Sequence, residues 1–248
     1  MSDLKSNGRT SCHSLTATSR RTLLAQAGLA GVCGFVGQAR ATFSDPPTVV
    51  QEDIRIPETP EEALQMLAAG NQRFAEGNII AARRDIERLR EVAQGQKPFA
   101  AFLGCADSRV PIEIVFDQGF GDLFVTRIAG NVASSENIGS LEFGTKILGA
   151  KVLYVLGHTN CGAVSATMQG VEVPGQISGL FQHIAPAVRT AKGDLQTAII
   201  GNVRNQALLL AEASPVISRM IQQKELIVAG GVYDLATGKV TPVTLDVN

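Results

Sequence analysis

The sequence predicts an α/β fold: a single domain with a central, mainly parallel β-sheet flanked by helices and an N-terminal helical arm. Three short, continuously apolar runs at residues 99–104, 123–127 and 152–156 have the composition of strands buried on both faces. Segments with helical spacing of apolar residues alternate with these runs, which is typical of a parallel sheet. The 248 residues suffice for one domain and an N-terminal extension.

The first 41 residues have the order of parts of an export signal. Arg20 and Arg21 precede a short apolar run that extends to Val36, and a small-residue cleavage pattern ends at Ala41. The twin arginine resembles a Tat signal, so we expect cleavage after Ala41 and export to the periplasm or an equivalent compartment. The run is too short for a stable membrane span. A disordered basic tail is the alternative interpretation.

Residues 42–60, rich in Pro, Asp and Thr, predict a linker, and the domain is expected over residues 61–248. Thr59-Pro60-Glu61-Glu62 has the pattern of a helix N-terminus, with a capping residue, a proline in the first turn and a glutamate three residues after the cap. This helix should end near Gly77 and form the N-terminal arm. A second amphipathic helix is expected from about residue 82 to 94.

Strands and helices alternate through the rest of the chain. The three apolar runs are followed by a fourth strand at residues 226–233, after which a turn leads into an extended segment at 239–245. Helical spacing predicts the intervening helices, at residues 135–148, 162–168, 177–191, 197–213 and 214–222. One continuous sheet therefore accounts for the whole domain.

Two clusters of polar side chains follow predicted strands at the points where those strands end. Cys105 and Asp107 come after the first strand, and His158 and Cys161 come after the third. Catalytic groups gather beyond the carboxyl ends of parallel strands, so both clusters can meet at one point. Thiolate, imidazole and carboxylate are the donors that zinc prefers, which predicts one zinc ion per chain. The alternative is that the cysteines are small core residues.

Arg109 distinguishes an open zinc site from a closed structural one. Four protein ligands would close the coordination sphere, as in a structural site. Arg109 stands two residues after Asp107, and a guanidinium binds a carboxylate through two parallel hydrogen bonds. Asp107 can therefore leave the metal for Arg109 and open the fourth position to water.

Composition excludes some functions. The formal net charge of −1 gives no electrostatic basis for binding nucleic acid or an anionic membrane. Cys12 and Cys33 fall in the export segment, and the two remaining cysteines have metal-competent neighbours, which favours ligands over a disulfide. His183 lies in a predicted helix, where a helix-surface or core histidine is favoured over a proton shuttle.

Three motifs carry a family resemblance. Cys105-x-Asp107-Ser108-Arg109-Val110, Gly121-Asp122-Leu123-Phe124-Val125-x-Arg127 and Gly157-His158-x-x-Cys161-Gly162 resemble the β-class carbonic anhydrases, over about residues 61–243. The resemblance implies reversible hydration of carbon dioxide to bicarbonate and a proton, by hydroxide held on zinc with Asp107 and Arg109 as the gate. It also implies a homodimer or larger homo-oligomer with the pocket at the interface.

The same resemblance implies the substrate-binding residues. Gln96 and a backbone amide near Gly162 would hold a substrate oxygen, and Phe124 would form an apolar wall; a solvated loop glutamine and a core aromatic are the alternatives. The plant-like subgroup usually has tyrosine where this chain has Phe143, and the bicarbonate-inhibited subgroup has tryptophan where Phe102 stands. We therefore expect the plant-like subgroup without an allosteric bicarbonate site.

Two other functions stay open at this point. Carbonyl sulfide or carbon disulfide, linear molecules like carbon dioxide, can be hydrolysed on the same scaffold. A non-catalytic structural zinc-binding module is the second alternative, although such a module has no use for Asp107 beside Arg109. If the chain is an anhydrase, two thiolate ligands should make the water less acidic than at a three-histidine site, so activity should rise above neutral pH.

Overall fold

The computed structural model describes residues 56–245. The predicted export signal, the linker up to residue 55 and both N-terminal cysteines lie outside the described residues, so the proposed boundaries at 41 and 60 stay predictions. No helix within residues 56–245 combines the length and apolar character that crossing a membrane requires.

A single five-stranded sheet forms the centre of the domain, with strand order β2-β1-β3-β4-β5. The first four strands are parallel and the last is antiparallel to its neighbour, which confirms the predicted mainly parallel α/β fold. The strands are β1 Ala100–Gly104, β2 Leu123–Arg127, β3 Val152–His158, β4 Ile227–Tyr233 and β5 Val240–Pro242. Every residue of β1 and β3 is buried, as their continuous apolar sequences predict. The same prediction is wrong for β2, which is only half-buried and ends in the exposed Arg127, because it lies at the edge of the sheet.

Helices cover both faces of this sheet. The described helices are α1 Pro60–Ala75, α2 Ile86–Val92, α3 Ile112–Val115, α4 Ser135–Glu142, α5 Gly162–Gln169, α6 Ile177–Thr190, α7 Leu195–Ala213 and α8 Pro215–Gln222. A 3-10 turn spans Ala129–Asn131, and a π-helical turn, Phe143–Ile147, continues α4.

Each face of the sheet has its own core. On one face, α5 to α8 bury side chains such as Ile184, Val203 and Leu210 against β1 and β3. On the other face, α1 and α3 cover an aromatic cluster of Phe102, Phe116 and Tyr154, whose ring centroids are 5.1 to 5.6 Å apart. The strand ends that carry the polar clusters are thus fixed from both sides.

The predicted cap of α1 is present. The side chain of Thr59 accepts a hydrogen bond from the amide of Glu62 at 3.1 Å, and the Glu62 carboxylate accepts one from the amide of Thr59 at 3.3 Å. The buried side chain of Asn71 then ties α1 to the rest of the domain: it donates to the carbonyls of Val115 and Gly238 and accepts from the amide of Val240.

Several element boundaries differ from those predicted. Helix α2 begins at residue 86 instead of 82, because Ala81 and Arg83 have positive φ angles that interrupt a helix. Its apolar side chains Ile86 and Leu89 are 61% and 44% exposed, so no described core covers them. The last strand has three residues instead of seven, and the short helix α3 has no counterpart in the predicted pattern.

Candidate metal centre

Three of the predicted donors meet at the carboxyl ends of β1 and β3. These strands pair side by side, with Gly104 opposite Leu156, so Cys105 and His158 emerge at the same edge of the sheet. Cys161 follows in the tight turn into α5. The sulfur and nitrogen atoms of the three side chains all lie within 4.8 Å of one another, and all three residues are buried.

The imidazole of His158 has one ring nitrogen that is buried without a partner. Its Nδ1 lies 2.9 Å from the carbonyl of Thr159, which assigns the ring proton to Nδ1. Its Nε2 is buried and makes no hydrogen bond to the described residues. A buried nitrogen lone pair without a donor is costly in an apolar site, and a metal ion would satisfy it.

The two thiols are coupled. A hydrogen bond from Cys161, the adjacent His158 ring and the amides of Gly130 and Asp107 outweigh burial and lower the pKa of Cys105 to about 4. The hydrogen bond with Cys105 and burial raise the pKa of Cys161. Two sulfurs and one imidazole are a donor set that zinc prefers, so the residues present fit this metal.

Asp107 stands beside the three donors, but its carboxylate is engaged by Arg109. Arg109 donates from Nε to Oδ1 at 2.9 Å and from Nη2 to Oδ2 at 2.8 Å, and its amide donates to Oδ1 at 3.0 Å. These hydrogen bonds hold the pKa of Asp107 well below its usual range. Oδ2 of Asp107 is 3.8 Å from Nε2 of His158. The structure therefore groups three donors, with the carboxylate held at the side.

A second arginine, Arg127 at the end of β2, fixes the backbone of this loop. Its guanidinium donates to the carbonyl of Cys105 at 3.0 Å and to the carbonyl of Asp107. Arg127 belongs to the motif at residues 121–127, which by itself predicts no role for it. A basic residue at the end of a predicted strand, close in sequence to a strand whose end carries metal donors, was the available signal. Gly130, whose amide donates to the Cys105 sulfur at 3.3 Å, was also missed.

The predicted substrate-binding residues have different positions. Gly162 is the exposed first residue of α5, directly after Cys161. Phe124 is half-buried on β2 and packs against Phe143, with ring centroids 6.3 Å apart. Gln96 is exposed between α2 and β1, and within residues 56–245 no hydrogen bond joins it to the centre. Their roles stay predictions.

His183 is exposed on α6, which agrees with the helix-surface interpretation. Its backbone carbonyl accepts a hydrogen bond from Gln206, and its ring contributes no donor to the three-residue group.

The chain is similar to known carbonic anhydrases in sequence. The family model described as carbonic anhydrase matches residues 100–240. Carbonic anhydrase 2 of Mycobacterium tuberculosis is 35% identical over 188 residues, which cover 73% of this chain and 91% of the relative. A carbonic anhydrase of Mycolicibacterium smegmatis is 34% identical over 189 residues, covering 73% and 92%.

Solved structures of β-carbonic anhydrases are similar to this chain in fold. The β-carbonic anhydrase of Coccomyxa, in complex with acetazolamide, is 26% identical with a TM-score of 0.57, covering 74% of this chain and 82% of that one. A structure of tetrameric β-carbonic anhydrases from Sordaria macrospora has a TM-score of 0.59 at 21% identity, covering 74% and 95%, and shows the shared fold. Together with the sequence matches and the cysteine-histidine-cysteine centre, these likenesses lead to one conclusion: the chain belongs to the β-class carbonic anhydrase family.

Proposed function

We propose that this chain is a zinc-dependent carbonic anhydrase that hydrates carbon dioxide reversibly to bicarbonate and a proton. The observation that carries the proposal is the pairing of a three-donor centre with a carboxylate that Arg109 holds at its side. A site that serves only structure closes the coordination sphere with four ligands, whereas a catalytic site keeps one position for water or substrate.

Cys105, His158 and Cys161 would hold the zinc ion. When bound, zinc supplies the Lewis acidity that makes water a nucleophile near neutral pH. The protein contributes orientation: the hydrogen bond between His158 Nδ1 and the Thr159 carbonyl aims Nε2 into the centre. The Thr159 hydroxyl in turn accepts from the amide of Leu235 at 3.1 Å, which fixes this turn.

Asp107 and Arg109 act together at the open side of the centre. Because Arg109 lowers the pKa of Asp107, the carboxylate is ionised at any working pH and serves as a hydrogen-bond acceptor. Oδ2 of Asp107, the oxygen closer to His158, can accept a hydrogen bond from a water molecule there and orient its lone pair toward carbon dioxide. Rotation of Asp107 away from Arg109 would close the centre, which is the gate that the sequence predicts.

The substrate pocket is proposed to include Gln96, Phe124 and the backbone at Gly162, as in the plant-like subgroup. The exposed Gly162 leaves open space above the N-terminus of α5, where an added Cβ would meet no atom within 4 Å. Phe143, 48% exposed and in contact with Phe124, would form an apolar mouth without the hydroxyl of a tyrosine. Carbonyl sulfide and carbon disulfide are not favoured as substrates, because the similar proteins are carbonic anhydrases.

A homodimer or larger homo-oligomer is part of the proposal. Exposed apolar side chains at Ile86, Phe143 and Ile147 would gain from burial against a second copy. The Sordaria macrospora proteins of the same fold are described as tetrameric. The exposed position of Gln96 is compatible with a pocket that is completed at such an interface.

Export through the Tat route to the periplasm or an equivalent compartment is proposed from the twin arginine at residues 20–21. This route carries folded proteins, so a metal centre with two thiols could be assembled before export. Cell fractionation of the full chain tests the proposal. Replacing both arginines by lysine should retain the protein in the cytoplasm, and unchanged export of that variant would contradict it.

The decisive experiment for the activity is stopped-flow hydration of carbon dioxide, with a pH indicator, on the full chain with its zinc content quantified. We expect zinc-dependent proton release far above the uncatalysed rate, increasing above neutral pH. A folded sample with one zinc per chain and no acceleration at neutral or alkaline pH would refute the proposed activity. In that case carbonyl sulfide and carbon disulfide are the substrates to assay.

A further inference from the structure

Two buried amide side chains on α7 hold the loop that faces one of the donor sulfurs. Asn202 and Gln206 lie one helical turn apart and are 1% and 2% exposed. The Asn202 side chain donates from Nδ2 to the carbonyl of Gly130 at 2.8 Å. Oε1 of Gln206 accepts from the amide of Ala133, also at 2.8 Å. The two side chains therefore hydrogen-bond to both ends of the segment 130–133.

The same two side chains fix each other's orientation. Nε2 of Gln206 donates to Oδ1 of Asn202 at 3.2 Å and to the carbonyl of His183, on α6, at 3.2 Å. Because the oxygen of Asn202 is occupied by this bond, its nitrogen must face Gly130. Each amide has a defined direction, and the loop, α6 and α7 are joined in one buried network.

The network ends at the metal centre. The amide of Gly130 donates to Sγ of Cys105 at 3.3 Å, and the direction of that N–H depends on how the loop is held. Gly130 has a φ angle of +74°, and an added Cβ would lie 2.6 Å from Cδ1 of Ile184. Only glycine fits there without strain, so the loop lies tightly against α6. An N–H donor aimed at the sulfur holds the Cys105 side chain in its orientation, and groups that hold a ligand in place support metal binding.

We propose that Asn202 and Gln206 are positioning residues for the metal centre, which act through Gly130 to aim its amide at the sulfur of Cys105. Neither residue touches the three donors, and both act through the backbone between them. The inference rests on the part of the proposed function that makes Cys105 a zinc ligand, and it does not depend on which substrate is used.

The test measures the metal centre directly, with two readouts on the full chain. Zinc affinity is measured by competition with a chelator, and the sulfur-to-metal charge-transfer band is recorded after loading with cobalt(II). Asn202→Ala should weaken zinc affinity by about 10- to 100-fold, the usual effect of removing a residue that supports a ligand. It should also shift the cobalt band, since Cys105 would lose a hydrogen bond.

Asn71→Ala is the matched control. Asn71 is also a buried amide that makes three hydrogen bonds to backbone groups, but it lies on the opposite face of the sheet. Its replacement should lower the free energy of unfolding while leaving zinc affinity and the cobalt band unchanged. A purely structural role for Asn202 predicts that its variant behaves in the same way.

Gln206→Met is a second variant, in case Asn202→Ala does not fold. It keeps the volume of the side chain and the Asn202–Gly130 hydrogen bond, but it removes the hydrogen bonds of Gln206 to Asn202 and Ala133. A smaller loss of zinc affinity is therefore expected. If the folded amide variants match Asn71→Ala in affinity and spectrum, the inference is wrong. If the unaltered chain binds no zinc, the proposed function itself fails, and this outcome is distinct from the first.

Discussion

Two carboxylates of this protein, Asp107 and Asp117, are both paired with arginine, yet they are held in very different ways. The side chain of Asp107 is 18% exposed, and that of its partner Arg109 is 53% exposed. Arg109 alone supplies all three hydrogen bonds to the carboxylate, two from its guanidinium and one from its amide. One side-chain rotation can therefore release Asp107.

The Asp117 side chain is fully buried and has four donors. Arg73 donates at 2.7 Å and Arg84 at 3.2 Å, and the amides of Ile80 and Ala81 each donate at 3.0 Å. Burial would raise the pKa of Asp117, but the two amides and Arg73 outweigh it and hold the pKa below its usual value. Pairing of aspartate with arginine thus has two results. Asp107 and Arg109 form a gate that one rotation can open, whereas Asp117 with Arg73 and Arg84 forms a fixed ion-pair cluster, called the latch below.

The largest effect that this comparison predicts is loss of turnover in Asp107→Ala. The variant lacks the acceptor that orients water, so the rate of carbon dioxide hydration should fall by about 10²- to 10⁴-fold. Zinc content should stay at one per chain, and the free energy of unfolding should change by less than about 0.5 kcal/mol. Stopped-flow assays and urea unfolding measure both, with Glu87→Ala, an exposed carboxylate on α2, as the control. An active Asp107→Ala would remove the gate from the mechanism.

Asp117→Ala should have the opposite profile. Two arginines and two amides lose their shared acceptor, so the free energy of unfolding should decrease by about 3 kcal/mol. The metal centre lies elsewhere, and the rate per folded, zinc-loaded molecule should stay the same. Urea unfolding and stopped-flow assays at a temperature where the variant is folded test this. A variant that is as stable as the unaltered chain would show that the latch contributes nothing.

The pH dependence of stability distinguishes the Asp117 latch from a second buried carboxylate, Asp122, because the pKa values of the two are shifted in opposite directions. Burial raises the pKa of Asp122, and its hydrogen bond to the amide of Gly119 and the nearby Arg83 only partly offset this. The stabilisation from Asp117 is present above the unfolded-state pKa of about 3.9 and is lost as pH falls through its lower folded-state value. The contribution of Asp122 is present below about 3.9 and is lost as pH rises through its higher folded-state value.

Asp117→Asn should therefore destabilise the protein more than Asp122→Asn at pH 7, by about 1 to 3 kcal/mol, and this difference should narrow at pH 3. Urea unfolding of both variants at the two pH values measures the difference. An equal gap at pH 7 and pH 3 would mean that ionisation of Asp117 is not its source.

The smallest predicted effect comes from Arg109→Lys. An ammonium group keeps the charge but cannot donate two parallel hydrogen bonds to Asp107, so turnover should fall by about 10-fold. In the latch, Arg73→Lys leaves Asp117 its three other donors, Arg84 and the amides of Ile80 and Ala81. The free energy of unfolding should therefore decrease by less than about 1 kcal/mol. If Arg109→Lys retains full activity, charge alone would suffice at the gate, and the geometry of the fork would not matter.

Local patterns predicted much of the fold. The cap between Thr59 and Glu62 was predictable because both hydrogen bonds join residues three positions apart. The meeting of Cys105 and His158 was predictable because each lies at the carboxyl end of a buried strand, and neighbouring parallel strands end at the same edge of the sheet. The start of α2 was not, since the left-handed backbone at Ala81 accompanies a hydrogen bond to Asp117, 36 residues along the chain.

By itself, the sequence determined which residues can bind a metal, which strand ends carry them and which family they resemble. Residue type and periodicity decide these matters, and both are local. The sequence predicted that Arg109 binds Asp107, but only the tertiary structure decided that this pair stands beside a group of three donors and that Nε2 of His158 has no hydrogen-bond partner among the described residues. It also decided that Asn202 reaches Gly130, 72 residues away. Such contacts depend on how distant segments pack, and no spacing within either segment specifies them.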